Sequence, residues 1–298
     1  MHNVSGNYLL SKFIKSIEFL YNFYIHALSF LGSKLHPSKH HKKPHQGLVL
    51  DANDGEQNHD ALAIELGNRY RGMGVAVGGC GALSVLCALL PVAFNLSSTL
   101  QKLALFFELG FVLLMVLIVA IGIRSGIHGR WLHHRRIAEK LRYAELEKQI
   151  AASADVEQLE VTLRKILFEQ IEYNKQKATQ YESIEHFSEV FGWLGVTLAI
   201  TAALAHLLGA HYNQLIFLTV FMPTLVGAIH GINGFLRLQD LGDDHAKTAV
   251  RLQQLKTDLE SGVGPTKIGA LADSTLKLLS NRDYEWALMA QRLGLKVV

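Results

Sequence analysis

Four long apolar segments dominate this sequence and limit the folds that it can adopt. They cover residues 72–95, 103–123, 190–209 and 214–236, and Glu108 is the only Asp, Glu, Lys or Arg within them. A helix needs about 20 apolar residues to cross a bilayer core of about 30 Å. Each segment has that length, and four of them are too many for a soluble core. The sequence therefore predicts an all-α membrane protein with four transmembrane helices.

The connections between these segments predict two transmembrane hairpins. Residues 96–102 join the first pair and contain one basic residue, Lys102, whereas residues 210–213 join the second pair and contain none. Arginines are concentrated at the other ends of the hairpins, for example at Arg69 and Arg124. Because basic residues are retained on the cytoplasmic side, we expect both chain termini to lie in the cytoplasm.

The rest of the chain has helical periodicity without strand patterns, which predicts a cytoplasmic helical bundle or coiled coil beside the spans. Residues 7–31 are apolar but contain charges in their first half, and they favour an interfacial helix over a fifth span. A basic, proline-interrupted linker follows them. We therefore divide the chain into residues 1–58 with the interfacial helix and linker, residues 59–183 with the first hairpin, and residues 184–298 with the second.

Charge and motif content argue against several functions. The net charge of +3 is small, and it gives no nucleic-acid footprint. There is no phosphate-binding loop, nucleophile elbow or zinc-protease signature, and Cys80 and Cys87 lie within one apolar segment. We expect a protein that is not an enzyme and that binds no cofactor or metal.

Polar residues and glycines within the spans are the candidate pore or helix-packing residues. Polar groups in lipid cost free energy, so they mark functional positions or hydrogen bonds between helices, and both interpretations remain open. Glycines four residues apart permit close helix packing. The candidates are Glu108, Gly122, Gly126, Gly227, His230, Gly231 and Asn233.

The inner ends of the two hairpins show a weak internal repeat. With an offset of 105 positions, Gly122 and Gly126 align with Gly227 and Gly231. Such a match suggests two units of the same plan, each a hairpin followed by a helix.

A short motif follows the second apolar segment and carries a resemblance to a known family. The segment 131–142 contains Trp131, Arg135, Glu139 and Arg142 at the spacing of the SLATT family of bacterial membrane domains, and it has a histidine where that family has a tyrosine. Tyr70 and Arg71 resemble the family's entry to its membrane hairpin. Independently of the family, the tryptophan and arginines are residue types typical of a membrane surface.

The resemblance implies a function without catalysis in the bacterial inner membrane. Members of the family are proposed to oligomerise and to form pores in defence or nucleotide-signalling systems, on a signal from a cytoplasmic sensor. We therefore expect the lipid bilayer, further copies of this chain and a possible sensor protein as partners. A passive membrane anchor for a cytoplasmic partner and a subunit of an ion or small-solute transporter are the two alternatives.

Overall fold

The protein is helical throughout the part of the chain that the structure, a computed structural model, describes: residues 4–35, 54–151, 155–262 and 264–291. These residues form eight α-helices and contain no strand, as predicted. The basic linker lies outside the described residues. The helices are α1 (Val4–Leu35), α2 (Asp54–Phe94), α3 (Ser98–Ser125), α4 (Ile127–Ala151), α5 (Val156–Leu207), α6 (Asn213–Leu236), α7 (Leu238–Glu260) and α8 (Pro265–Gln291).

Four of these helices are long and apolar enough to cross a bilayer, namely α2, α3, α5 and α6. The segments 103–123 and 214–236 lie within α3 and α6, and the segments 72–95 and 190–209 extend one and two residues beyond the ends of α2 and α5. The four candidate spans are therefore confirmed. The helix α1 is not among the candidates. Its buried residues Ile17, Tyr21, Ile25 and Leu28 recur every three or four positions, and this face packs against α2 and α5. The helix α1 is therefore part of the packed structure.

The first span of each pair continues without interruption into a polar helical segment. The helix α2 has 41 residues, and α5 has 52 residues. Asp155 begins α5 because its carboxylate accepts a hydrogen bond of 2.8 Å from the backbone N–H of Gln158, as expected of an N-terminal cap. The sequence has no glycine or proline between Asp155 and the apolar segment 190–209. The helix α5 therefore runs without a break from its polar half into its apolar half.

The second span of each pair instead ends at a left-handed residue. Gly126 has φ 58° and separates α3 from α4, whereas Arg237 has φ 52° and separates α6 from α7. These two breaks are 111 positions apart, not the 105 of the sequence repeat. The aligned Gly231 lies inside α6. The predicted register of the repeat is therefore wrong. Both units nevertheless have the same plan after the break, because α4 packs against α2 and α7 packs against α5.

The four apolar helices form an open row in the order α3, α2, α6, α5. The helix α2 packs against α3 and α6, and α6 also packs against α5. Among the described residues, α3 contacts neither α5 nor α6, and α2 does not contact α5. Gly78 of α2 permits the central contact, because a Cβ there would lie 2.5 Å from Ile232 Cγ1 of α6. A closed four-helix bundle would need a contact between the ends of this row.

A second apolar core holds the polar segments together. It joins the first half of α5 to α7 and α8 through Leu163, Leu167, Leu252 and Leu259, which are at most 1% exposed, and through Ile268 of α8. Each of these three helices contributes apolar residues that lie three or four positions apart. The amphipathic periodicity of the sequence therefore produces this packing. The helix α8 also contacts α4.

Candidate functional site

Three residues predicted from the family motif meet where α2 enters its apolar segment. The ring centroids of Tyr70 and Trp131 are 5.7 Å apart. The guanidinium carbon of Arg71 lies 5.1 Å from the Trp131 ring centroid and 5.4 Å from that of Tyr21. We call Tyr21, Tyr70, Arg71 and Trp131 the boundary cluster. It joins α1, α2 and α4, and its cation lies against two aromatic faces, an arrangement that is stabilising.

Gly67 makes room for this cluster. A Cβ at Gly67 would lie 2.7 Å from Nε1 of Trp131, so a larger residue there would displace the indole. Trp131 itself is only 5% exposed. The sequence predicted that this tryptophan contacts the membrane surface, but in a single chain it is mainly a packing residue between α2 and α4.

The remaining motif residues continue along α4. Arg135 forms an ion pair with Glu139 one turn later, and its Nη1 lies 3.8 Å from a carboxylate oxygen of Asp60 in α2. His134, at the position of the family's tyrosine, lies 2.9 Å from His59 between their Nδ1 atoms. Partial burial lowers the pKa of His134, and the charges of His59, His133 and Arg130 lower it further. The side chain of Arg142 lies outside the described residues.

The two candidate residues of α6 that are polar, His230 and Asn233, occupy different environments. Asn233 donates a hydrogen bond of 2.7 Å to Ser188 Oγ of α5 and accepts one of 2.6 Å from the hydroxyl of Tyr24 in α1. His230 is exposed, and its Nε2 lies 3.0 Å from the position of a Cβ at Gly192. In a single chain, Asn233 therefore joins three helices, whereas His230 borders the open surface of α6.

We expect that replacing Asn233 with leucine lowers the free energy of unfolding by about 1–3 kcal/mol, because the buried hydroxyls of Ser188 and Tyr24 lose a partner. Thermal or denaturant unfolding of the detergent-solubilised protein measures the change. Thr224→Val is the control, since the Thr224 hydroxyl bonds only to the Val220 carbonyl of its own helix. Equal stabilities of the two variants would contradict the structural role of Asn233.

The other candidate residues do not cluster with these two groups. Gly126 ends α3, and a Cβ there would meet no atom within 4 Å. The same holds for Gly227 and Gly231, which are exposed on α6. Gly122 and Glu108 are half-buried on α3. Whether these residues act in a pore or in helix packing stays a prediction.

A buried polar network in the second core was not predicted. His245 of α7 lies 2.8 Å, through Nδ1, from Asn174 Oδ1 of α5. The Asn174 amide donates to the Gln170 carbonyl, which leaves its oxygen to accept from His245. Arg282 of α8 approaches the imidazole to within 3.1 Å and donates to Asp244 at 2.8 Å. The network therefore links α5, α7 and α8.

The environment of this network keeps His245 neutral. Burial, followed by the positive charges of Arg282, Lys177 and Arg135, lowers the pKa of His245 to about 3. Lys177 is itself half-buried, and burial followed by the charge of Arg71 lowers its pKa. One sequence signal could have identified His245: it lies on the same helical face as Leu241, Thr248 and Leu252, where an apolar residue is expected.

The described residues contain no group of three or more His, Cys, Asp or Glu side chains placed to hold a metal ion. Comparison of the chain with protein-family models, with curated proteins and with solved structures finds no match.

Proposed function

We propose that this chain is a bacterial inner-membrane protein that assembles with itself and makes the membrane permeable. Its spans would run as two hairpins from a helical bundle in the cytoplasm, with both termini on that side. Two features support this proposal: the distribution of basic residues, and the resemblance of 131–142 to the SLATT motif, of which Trp131 packs with Tyr70 and Arg71.

The open row of apolar helices is the observation that favours self-assembly. The row of four apolar helices is open at α3 and does not by itself surround a passage. The end helix α3 contacts α2 and, to a small extent, α4, and Phe106 on its surface is 70% exposed. Several copies arranged side by side could surround a passage, as rings of subunits do.

Two ionisable residues within the spans support the same interpretation. Glu108 is half-buried on α3 and His230 is exposed on α6. An ionisable side chain that faces lipid is costly, whereas one that faces a water-filled passage is hydrated. In the proposed assembly these two residues line the passage, and a cytoplasmic sensor would control its opening through the polar helices.

Release of a dye or of potassium from liposomes tests the proposal. We expect the purified protein to release the contents of liposomes of bacterial lipid, and Gly231→Leu to reduce the release at least tenfold. A Cβ at Gly231 would meet nothing within 4 Å in the single chain, so this substitution leaves the fold intact and changes the exposed face of α6 beside His230. Gly269→Leu is the matched control, because Gly269 of α8 is equally unobstructed but lies outside the spans.

The alternatives give different results in the same assay. Liposomes that stay tight although the protein is inserted would contradict permeabilisation and favour the passive anchor. Saturable flux of a single solute would favour the transporter subunit.

A further inference from the structure

The outer surface of α3, at one end of the row, carries a regular stripe of exposed residues. Its members recur every three or four positions and therefore lie on one face of the helix. The stripe is apolar up to its last residue, which is basic and lies at the end of the span. We call it the α3 edge, and it consists of Phe106, Gly110, Leu113, Leu117, Ala120 and Arg124.

The outer surface of α5, at the other end of the row, carries a comparable stripe. Here the residues that precede the span are acidic, and those within the span are large and apolar. Trp193, for example, is 76% exposed. We call this stripe the α5 edge, and it consists of Glu182, Glu189, Trp193, Val196, Ile200 and Leu204.

The charged residues of the two edges lack ionic partners in the described structure. Arg124 is exposed and forms no ion pair there, and the same is true of Glu182 and Glu189. The acidic residues also repel their neighbour Glu185: burial raises the pKa of Glu185, and the charges of Glu189, Asp243 and Glu182 raise it further. A positive charge placed beside the α5 edge would relieve this repulsion.

The edges match in direction and length. Phe94 of α2 meets Phe217 of α6 with ring centroids 6.1 Å apart, while Gly78 lies against Ile232, so α2 and α6 are antiparallel. Helices joined by short loops are also antiparallel, and α5 therefore runs opposite to α3.

The spacing along the two helices then gives the register. Phe106 precedes Arg124 by eighteen positions, about 27 Å of helix, and Leu204 follows Glu189 by fifteen positions, about 23 Å. When Arg124 is placed beside Glu189, the small Ala120 lies opposite the large Trp193, and Leu117 lies opposite Val196.

We propose that copies of this chain associate head to tail, with the α3 edge of one copy packed against the α5 edge of the next. This inference rests on the proposed function and names the surfaces that self-assembly uses. The contact repeats between chains the type of antiparallel packing that α2 and α6 make within a chain. Because the two edges differ, the interface is heterologous, and such interfaces generate a closed ring or a continuing row.

Disulfide cross-linking in the membrane tests the register. In a chain with Cys80→Ala and Cys87→Ala, we expect Leu117→Cys combined with Val196→Cys to give a ladder of dimers, trimers and larger species on oxidation. Val116→Cys combined with Val196→Cys is the control, because Val116 is similarly exposed (59% against 52% for Leu117) but points to another side of α3. Equal cross-linking of both pairs, or none, would overturn the proposal and indicate that lipid or another surface covers the edges.

Exchange of the charges tests the ionic contact. We expect Glu189→Arg alone and Arg124→Glu alone to reduce the ladder at least fivefold, and the chain with both substitutions to recover it. Lys102→Glu, at the opposite end of α3, is expected to leave the ladder unchanged. Failure of the double variant to recover, when each single variant has lost the ladder, would contradict a direct Arg124–Glu189 contact.

These results separate the interface from the proposed function. Liposome leakage without the expected ladder would refute the two edges as the contact while the permeabilising function stands. A ladder without leakage would support the interface and count against permeabilisation.

Discussion

Replacement of Gly72 by alanine is expected to lower the free energy of unfolding by about 3 kcal/mol, at the upper end of the cost of overpacking. A Cβ at Gly72 would overlap the backbone carbonyl of Ile17 in α1. A backbone group cannot rotate away as a side chain would, so α1 must shift from α2. Unfolding of the solubilised protein measures the loss, and faster proteolysis within α1 reports the displacement.

Gly79→Ala is the matched control for this prediction. Gly79 lies in the same helix, and a Cβ there would meet nothing within 4 Å. Alanine is expected to stabilise the helix at this position by up to about 1 kcal/mol through its higher helix propensity. If both substitutions had the same effect, the close contact between α1 and α2 would be refuted.

Acidification is expected to destabilise the core of α5, α7 and α8 through His245. The imidazole stays neutral in the folded protein down to a pKa of about 3, whereas an unfolded histidine takes up a proton near pH 6.5. The unfolded state then binds more protons, so stability falls as the pH falls. We expect a loss of about 1.4 kcal/mol per pH unit between these two values.

Denaturant unfolding at a series of pH values measures this slope. His245→Gln removes the titrating group, and we expect a variant that is less stable at neutral pH but has a flatter pH dependence in this interval. His211→Gln, at an exposed histidine between α5 and α6, should keep the slope of the unaltered protein. An unchanged slope in His245→Gln would mean that other groups cause the acid sensitivity.

Local properties of the sequence were sufficient to predict the helices and the spans. The segment 103–123 was predicted from hydropathy alone, and it lies within α3 (Ser98–Ser125). The start of α5 could also be predicted from the sequence, because aspartate is a favoured N-terminal capping residue and Asp155 caps this helix. In each case the physical cause lies within about 20 consecutive residues, so no knowledge of distant contacts was needed.

Contacts between distant segments could not be predicted in the same way. The network of His245 depends on Asn174 and Arg282, which are 71 and 37 positions away. The order of the row depends on the close contact of Gly78 with Ile232. Because other glycines in the spans would also permit a close helix contact, the sequence did not indicate which of them makes it. The register of the repeat was misjudged for a related reason: a left-handed break favours glycine, but Arg237 occupies the second one.

The boundary cluster was predicted only in part, because its members come from distant segments of the chain. Tyr70, Arg71 and Trp131 were singled out by the resemblance to the SLATT motif, and the structure brings them together. Tyr21 was missed because α1 was predicted to lie along the membrane and not against α2. The signal that could have identified it is the spacing of Ile17, Tyr21, Ile25 and Leu28 on one face of α1.

The uninterrupted course of α5 has a mechanical consequence. A helix of 52 residues is a stiff rod of about 78 Å, and a tilt imposed on its polar half reappears in its membrane half. The helix α6, by contrast, is separated from α7 by a left-handed joint at Arg237, where a bend can be absorbed. A force on the polar helices would therefore be transmitted along the continuous helices α2 and α5, and less through the joint at Arg237.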